Sequence, residues 1–377
     1  MHGNIKMIDT LKIWNYRSLE RLELNSLLKV NLITGKNNTG KSTILEALAS
    51  YAAMGDLRVL FELLEERGEV YKQNEIENNP IEYNIKTFSS LFTNRDEKGK
   101  IEIRVKEKDE SLFSPEEKAL SLRIVKYREE KISGANSDSQ RKKIILENGN
   151  DDNILDYLMG LEIKNGGGSY ILPLYEEKIN RFGFKGFGEP RNFQFIRPRG
   201  LETKINLSLW NNIVLTYKEK FVIEALRIIE PEIDKITFKE DGATYRKPFI
   251  KLLNDPILIP LQSMGDGINR ILTIILAMVN SDNGYLLIDE FENGLHYSVQ
   301  ERLWEIIFSL SEKLNVQVFA TTHSEDCISG FEKTINKPCL EYKGKLVRLE
   351  NDEGLIKQVE FDKKELKIAF ENNIEVR

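Results

Sequence analysis

Residues 35–42, Gly35-Lys36-Asn37-Asn38-Thr39-Gly40-Lys41-Ser42, follow the spacing G-x-x-x-x-G-K-[ST]. Glycines at its two ends let backbone N–H groups curl around a polyphosphate. Lys41 then reaches the terminal phosphates, and the Ser42 hydroxyl is a ligand for magnesium. An apolar run, 27–34, comes immediately before the pattern, and after it Ile44, Leu45, Leu48, Ala49 and Ala52 recur at helical spacing. The pattern is therefore predicted between a strand and a helix, whose positive N-terminal end adds to the attraction for phosphate.

Three other groups gain meaning from it. Leu286-Leu287-Ile288-Asp289-Glu290 reads as a buried strand ending in adjacent carboxylates. Alone, such a pair is an ordinary solvated turn. Beside a phosphate loop, Asp289 is expected to hold magnesium through water and Glu290 to polarise the attacking water as general base. Ser263-Met264-Gly265-Asp266-Gly267 precedes a helix, 268–279, and by itself is an unremarkable helix start. His323, in Ala320-Thr321-Thr322-His323-Ser324, ends a strand where a parallel sheet opens its ligand crevice, which favours a polar contact to a terminal phosphate over a purely structural role.

The elements that must position these residues are legible in outline. Strands are predicted at 285–289 and 316–321, with helices from about 265 and over 298–314. Residues 11–16 alternate like an edge strand, and 101–105 and 120–125 read as strands of an antiparallel layer. A polar loop is expected at 133–141 and a flexible one at 165–169. A helix over 206–229 ends at Glu230-Pro231, short strands surround 249–261, a hairpin spans 339–350, and a last helix starts near Lys363. The fold class is α/β with a mixed sheet. Its core is expected to be split between 1–60 and 235–350, with an inserted, partly helical subdomain at 61–234 and a C-terminal helix or tail at 351–377.

A chain of 377 residues suggests two or three folding units, and 41% hydrophobic against 30% charged residues supports a sizeable core rather than wholesale disorder. Two cysteines, Cys327 and Cys339, and three histidines, His2, His296 and His323, exclude a disulfide scaffold and a structural zinc site, and fit a reducing cytoplasm. The longest apolar run, 271–279, is far short of the roughly 20 residues of a membrane span. The first residues lack a secretory pattern, so a cytoplasmic protein with no membrane contact is expected. Net charge is −6, so any contact with DNA must be local. One candidate surface is 178–204, where Lys178, Arg181, Lys185, Arg191, Arg197, Arg199 and Lys204 interleave with Phe182, Phe184, Phe187, Phe193 and Phe195. That mixture suits single-stranded nucleic acid or a protein partner; the alternative places the aromatics in the core.

Taken in order, the phosphate loop, Ser-x-Gly-x-Gly, Asp-Glu and Thr-His-Ser resemble the ABC-type P-loop NTPase head. Lys41 and Ser263 are 222 residues apart, more than a transporter nucleotide domain places there. With Asn15-Tyr16-Arg17 and the entry Asn31-Leu32-Ile33-Thr34-Gly35, this resembles the SMC, RecF and OLD branch, most of all the stand-alone OLD-like ATPases of bacterial anti-phage systems. The likeness covers 5–55 and 205–377 well. It implies ATP and Mg2+ as cofactors. Gly35, Asn37, Asn38, Thr39, Gly40, Lys41, Ser42 and Thr43 would bind nucleotide, Arg17 would reach its phosphates, and Ser42 and Asp289 would hold the metal. Glu290 would be the base and His323 the switch histidine. Ser263, Gly265 and Gly267 would bind the nucleotide held by an opposing subunit, and 292–296 would form the loop that touches that subunit. The usual glutamine linking magnesium to the helical lobe is not placed by the sequence; Gln73 is one candidate.

The same resemblance implies a head-to-tail homodimer around two ATP, or a higher oligomer, with slow hydrolysis. Full-length OLD proteins carry a Toprim nuclease. Only 54 residues follow His323 and no Asp-x-Asp pair occurs, so no nuclease activity is expected here, and a separate effector, with a nuclease as the leading candidate, is. The alternatives are a nucleotide-gated clamp with negligible turnover and a RecF-like ATPase of DNA repair.

Overall fold

The computed structural model describes residues 7–71, 79–108, 116–131, 141–146, 157–176, 190–200, 203–240, 246–337, 343–372 and 374–377. Its central sheet has the order β16-β15-β3-β14-β13-β9: β3 (Val30–Gly35), β9 (Asn192–Ile196), β13 (Gly284–Ile288), β14 (Gln317–Thr321), β15 (Gly344–Asp352) and β16 (Leu355–Phe361). The five strands from β15 to β9 run parallel, and only β16 is antiparallel. All residues of β3, β13 and β14 are buried, as expected for parallel strands covered on both faces.

Alternation along β13 divides two cores. Leu286 and Ile288 face α6 (Asp266–Asn280), α7 (Tyr297–Lys313) and α8 (Glu325–Ile335) through Ile271, Leu303, Trp304 and Phe331. Tyr285 and Leu287 face α1 (Lys41–Ala52) and α2 (Leu57–Glu66), beneath a second sheet. That sheet is antiparallel: β2 (Leu19–Leu24), β1 (Met7–Tyr16), β4 (Lys100–Lys108), β5 (Glu116–Lys131), β7 (Leu158–Asn165) and β8 (Gly168–Pro173), with β6 (Arg141–Ile145) beside β5 and α3 (Pro80–Ser89) nearby in the chain. A third sheet, β10 (Ile233–Glu240), β11 (Arg246–Leu252) and β12 (Leu258–Pro260), joins α4 (Thr203–Asn211) and α5 (Glu219–Leu226) against α6. The helix α9 (Lys363–Glu371) is opened by an Asp362–Glu365 capping box.

Several expectations change. Residues 11–16 are no edge: β1 pairs with both β2 and β4. Its alternation reflects a sheet buried on one face and solvated on the other, which leaves the same trace in sequence as an edge. The loop at 165–169 is a hairpin turn, with Asn165 paired to Gly168 and its side chain accepting the Gly167 N–H at 2.9 Å. The long helix at 206–229 is two, α4 and α5, broken around Leu215, which has φ 63° and is 94% exposed. The C-terminal hairpin is β15–β16, turning at Glu353 and Gly354, both with positive φ. The boundary at 61–234 does not follow the sheets: β9 lies in the central sheet, and β4 to β8 continue the sheet begun by β1 and β2. Of the predicted loop at 133–141 and the basic-aromatic stretch at 178–204, residues 133–140, 178–189 and 201–202 lie outside the described residues, as do Gln73 and Cys339. Within the described part, Phe193 and Phe195 pack against the core. Among the described residues no helix is long and apolar enough to cross a membrane.

Candidate nucleotide site

Four neighbouring parallel strands end at one edge of the central sheet. From the end of β3 comes Gly35, from β14 Thr321 to His323, from β13 Asp289 and Glu290, and from β9 Arg197. This carboxyl edge is where open α/β sheets bind ligands.

The loop after β3 is built by its glycines. Gly35 has φ 141°, and a Cβ there would lie 2.6 Å from the Leu349 carbonyl oxygen and 2.8 Å from Thr39 Oγ1. Gly40 has φ 85° and is the N-cap of α1, with no side-chain cap. The first N–H groups of α1 therefore have no capping side chain, and no acidic residue stands in its first turn, which suits an anion such as a triphosphate. Thr39 Oγ1 donates to the Lys36 carbonyl at 2.9 Å, and Lys41 Nζ donates to the carbonyls of Gly35 and Lys36 at 2.7 and 2.8 Å. Burial pushes the Lys41 ammonium below its ordinary pKa, while Asp289, Glu292 and Glu290 oppose that shift. Asn37 and Asn38 are exposed and Ser42 is half-buried, whereas the buried Thr43 turns its hydroxyl to Ser18, 3.4 Å away, rather than into the loop.

Asp289 and Glu290 are held by groups that the motif did not announce. Because Ile288 pairs with Ala320, Thr321 lies across from Asp289. Its hydroxyl donates to Asp289 Oδ1 at 2.5 Å and accepts the Glu290 N–H at 2.9 Å. Glu290 has φ 49°, a left-handed conformation costing a non-glycine residue about 1–3 kcal/mol, found where surrounding contacts enforce it. Arg270 of α6 supplies such contacts, donating to the carbonyls of Asp289 and Glu290 at 2.9 and 2.8 Å and of Arg197 at 3.0 Å. Burial pushes the Arg270 guanidinium below its ordinary pKa, opposed by Asp289, Glu292 and Glu290.

His323 is half-exposed, with Nδ1 3.1 Å from Glu292 Oε1. Glu292 also accepts the His323 N–H at 3.0 Å and the Thr322 hydroxyl at 2.7 Å, so this carboxylate turns inward, while Gly294 and His296 are exposed. Among the described residues no group of three or more His, Cys, Asp or Glu is placed to hold a metal alone. A magnesium ion at Ser42 and Asp289 would be completed by phosphate oxygens and water, its usual company in nucleotide sites.

Two parts of the expected site stand apart. Ser263 is exposed, its hydroxyl donating to the Pro260 carbonyl at 2.7 Å, and Gly265 and Gly267 form the N-terminal end of α6. Among the described residues no hydrogen bond or ion pair joins 261–267 to the phosphate loop. Arg17, expected at the nucleotide phosphates, is the second. With φ 52° it turns into the protein, its Nε 2.7 Å from Glu46 and its Nη1 2.6 Å from Glu69, with further bonds to the carbonyls of Leu63 and Ser90. Burial raises the Glu46 carboxyl above the usual carboxylate range, against the pull of Arg17 and Arg67. Arg17→Ala is therefore expected to lower stability by about 1–3 kcal/mol, since it leaves the buried Glu46 carboxylate with Arg67 as its remaining cationic partner and one oxygen without a donor. Chemical denaturation measures this; unchanged stability together with a tenfold loss of ATP affinity, on the order of 1.4 kcal/mol, would return Arg17 to the phosphates.

The family profile described as AAA ATPase domain matches residues 7–328. A Helicobacter pylori protein named ATP/GTP phosphatase is 26% identical over 385 residues, covering 97% of this chain and 98% of its own. An uncharacterized protein of Methanocaldococcus jannaschii is 36% identical over 115 residues, 30% of this chain and 92% of its own. Among solved structures, an SMC head bound to the C-terminal winged-helix domain of ScpA aligns with TM-score 0.54 and 11% identity, covering 97% of this chain and 99% of that one. An Smc head with an extended coiled coil, bound to the C-terminal domain of ScpA derived from Pyrococcus furiosus, aligns at 0.51 and 10%, covering 98% and 100%. The fold is that of SMC heads, an ABC-type P-loop architecture.

Proposed function

This chain belongs to the AAA ATPase domain family, and on that premise we propose that two copies clasp ATP and Mg2+ head to tail, hydrolyse it slowly, and so regulate a separate effector protein. The observation that carries the reading is a division of labour on one chain. Lys41, Asp289 and Glu290 gather at the sheet edge, whereas the Ser263-to-Gly267 segment is exposed and bonded to none of them. A second copy would bring its α6 N-terminus to the γ-phosphate, where the positive end of the helix is useful.

In this reading the loop 35–42 and Thr43 hold the nucleotide, Ser42 and Asp289 orient magnesium, and His323 contacts the terminal phosphate. Glu290 takes the proton of the attacking water. Magnesium, when bound, neutralises phosphate charge; the protein supplies position and a dry, preorganised field. The ATP/GTP phosphatase name of the Helicobacter pylori relative supports hydrolysis and makes GTP a second nucleotide to assay. SMC heads solved with ScpA domains support a partner protein. We place the chain with the OLD-like ATPases of anti-phage defence and the effector among nucleases.

Phosphate release and solution mass, measured with and without Mg-ATP, test the shared site. Turnover is expected to accompany a doubling of mass. Hydrolysis by a chain that stays monomeric at every protein concentration would overturn it.

A further inference from the structure

Arg270 is a buried cation whose hydrogen bonds run to three main-chain carbonyls rather than to a carboxylate. It stands on α6 one turn after the exposed Ser263-to-Gly267 segment and reaches two other elements at once, the end of β9 through Arg197 and the turn after β13 through Asp289 and Glu290. Those two ends are themselves tied, because the Asp289 N–H donates to the Ile196 carbonyl at 2.8 Å. The first turn of α6 also lies close to the following loop: a Cβ on Gly267 would come within 3.2 Å of the Gly294 carbonyl oxygen. A shift of α6 therefore pulls on the backbone that holds Glu290 in its left-handed conformation.

We propose that Arg270 is a positioning residue that couples the two nucleotide sites of a dimer. It converts engagement of the α6 N-terminus by a triphosphate on the second copy into the working orientation of the Glu290 carboxylate in its own site. The inference rests on the shared-site reading above and adds a consequence to it: hydrolysis at the two sites is cooperative. The guanidinium suits this role because its Nη2 donates to the successive carbonyls of Asp289 and Glu290 while its Nη1 reaches that of Arg197, so one planar fork joins the two strand ends. A lysine keeps the charge but cannot reproduce that span.

The test is steady-state hydrolysis against ATP concentration for the wild-type chain, Arg270→Lys and Arg270→Met, with ATP affinity, solution mass and melting temperature measured on the same preparations. Wild-type turnover is expected to show a Hill coefficient above unity. Arg270→Lys is expected to lower kcat by about 100-fold, the scale of a small misplacement of a reacting group. It should still bind ATP within about threefold of wild type and still dimerise, and its Hill coefficient should fall to unity. Arg270→Met should go further in the same direction; if it does not fold, the wild-type and lysine measurements decide. Non-cooperative turnover by a wild-type dimer overturns the inference whatever the variants do. So does Arg270→Lys with wild-type kcat and Hill coefficient, or with a lowered melting temperature as its only change. A wild-type chain that neither dimerises nor hydrolyses ATP removes the shared-site reading instead, so the two failures are told apart.

Discussion

Glu290→Gln is expected to lower ATP turnover by about 10²–10⁴-fold, the usual contribution of a positioned general base, while ATP affinity stays within about threefold. The substitution is nearly isosteric, and the contacts that hold position 290 are made by its backbone: the N–H bonds to Thr321 Oγ1 and the carbonyl accepts from Arg270. The amide variant therefore keeps the turn and loses only the ability to accept a proton. Lys41 loses one of three carboxylates that oppose the effect of its burial, with Asp289 and Glu292 remaining, so nucleotide binding should survive. Because in the proposed dimer the γ-phosphate bridges the two copies and hydrolysis removes it, the variant should accumulate as an ATP-bound dimer, visible as a doubled mass that persists after excess nucleotide is removed. Phosphate-release assays and light scattering on the same sample check both halves. A variant that hydrolyses ATP like the wild type would take the base assignment away from Glu290.

How much of this could be read from sequence depends on the range of the interactions. The phosphate loop is local: glycine at 35 and 40, Lys41 one residue later and a helix with apolar residues at helical spacing lie within twenty residues, so spacing alone locates them. The strand ending at Asp289 is legible for a related reason, since a strand buried on both faces is a plain apolar run. What escaped is long-range. Nothing near residue 192 announces that Asn192–Ile196 pairs with Gly284–Ile288; of the two readings of that stretch, the one with its aromatics in the core agrees with the packing of Phe193 and Phe195, but the strand itself was not foreseen. Thr321 was read only as a neighbour of His323, because its bond to Asp289 exists only through the β13–β14 register. Arg270 interrupts an apolar helix and carries no motif; its partners are carbonyls 73, 19 and 20 residues away in sequence. Arg17 shows the reverse case. The resemblance supplied a role, and partners at positions 46 and 69, invisible as a pattern, direct the side chain elsewhere.

Ser263→Arg separates the shared site from any site contained in one chain. Ser263 is exposed, and its hydroxyl bonds only to the Pro260 carbonyl in its own turn, so the fold should tolerate the change within about 0.5 kcal/mol. If the nucleotide were bound and hydrolysed by one chain alone, a bulkier residue there would leave turnover nearly intact. In a head-to-tail dimer the arginine instead meets the partner's triphosphate, where a close-fitting helix start is required. ATP binding to the monomer should then remain near wild type, the ATP-dependent doubling of mass should disappear, and turnover should drop by about 100-fold or more. Lys41→Ala offers the contrasting pattern, because it removes the cation that the loop wraps and should weaken nucleotide binding before any dimer forms. Loss of assembly with retained binding in one variant, against loss of binding in the other, requires two chains to complete one site. A folded Ser263→Arg protein with wild-type turnover would instead mean that the start of α6 never meets a nucleotide.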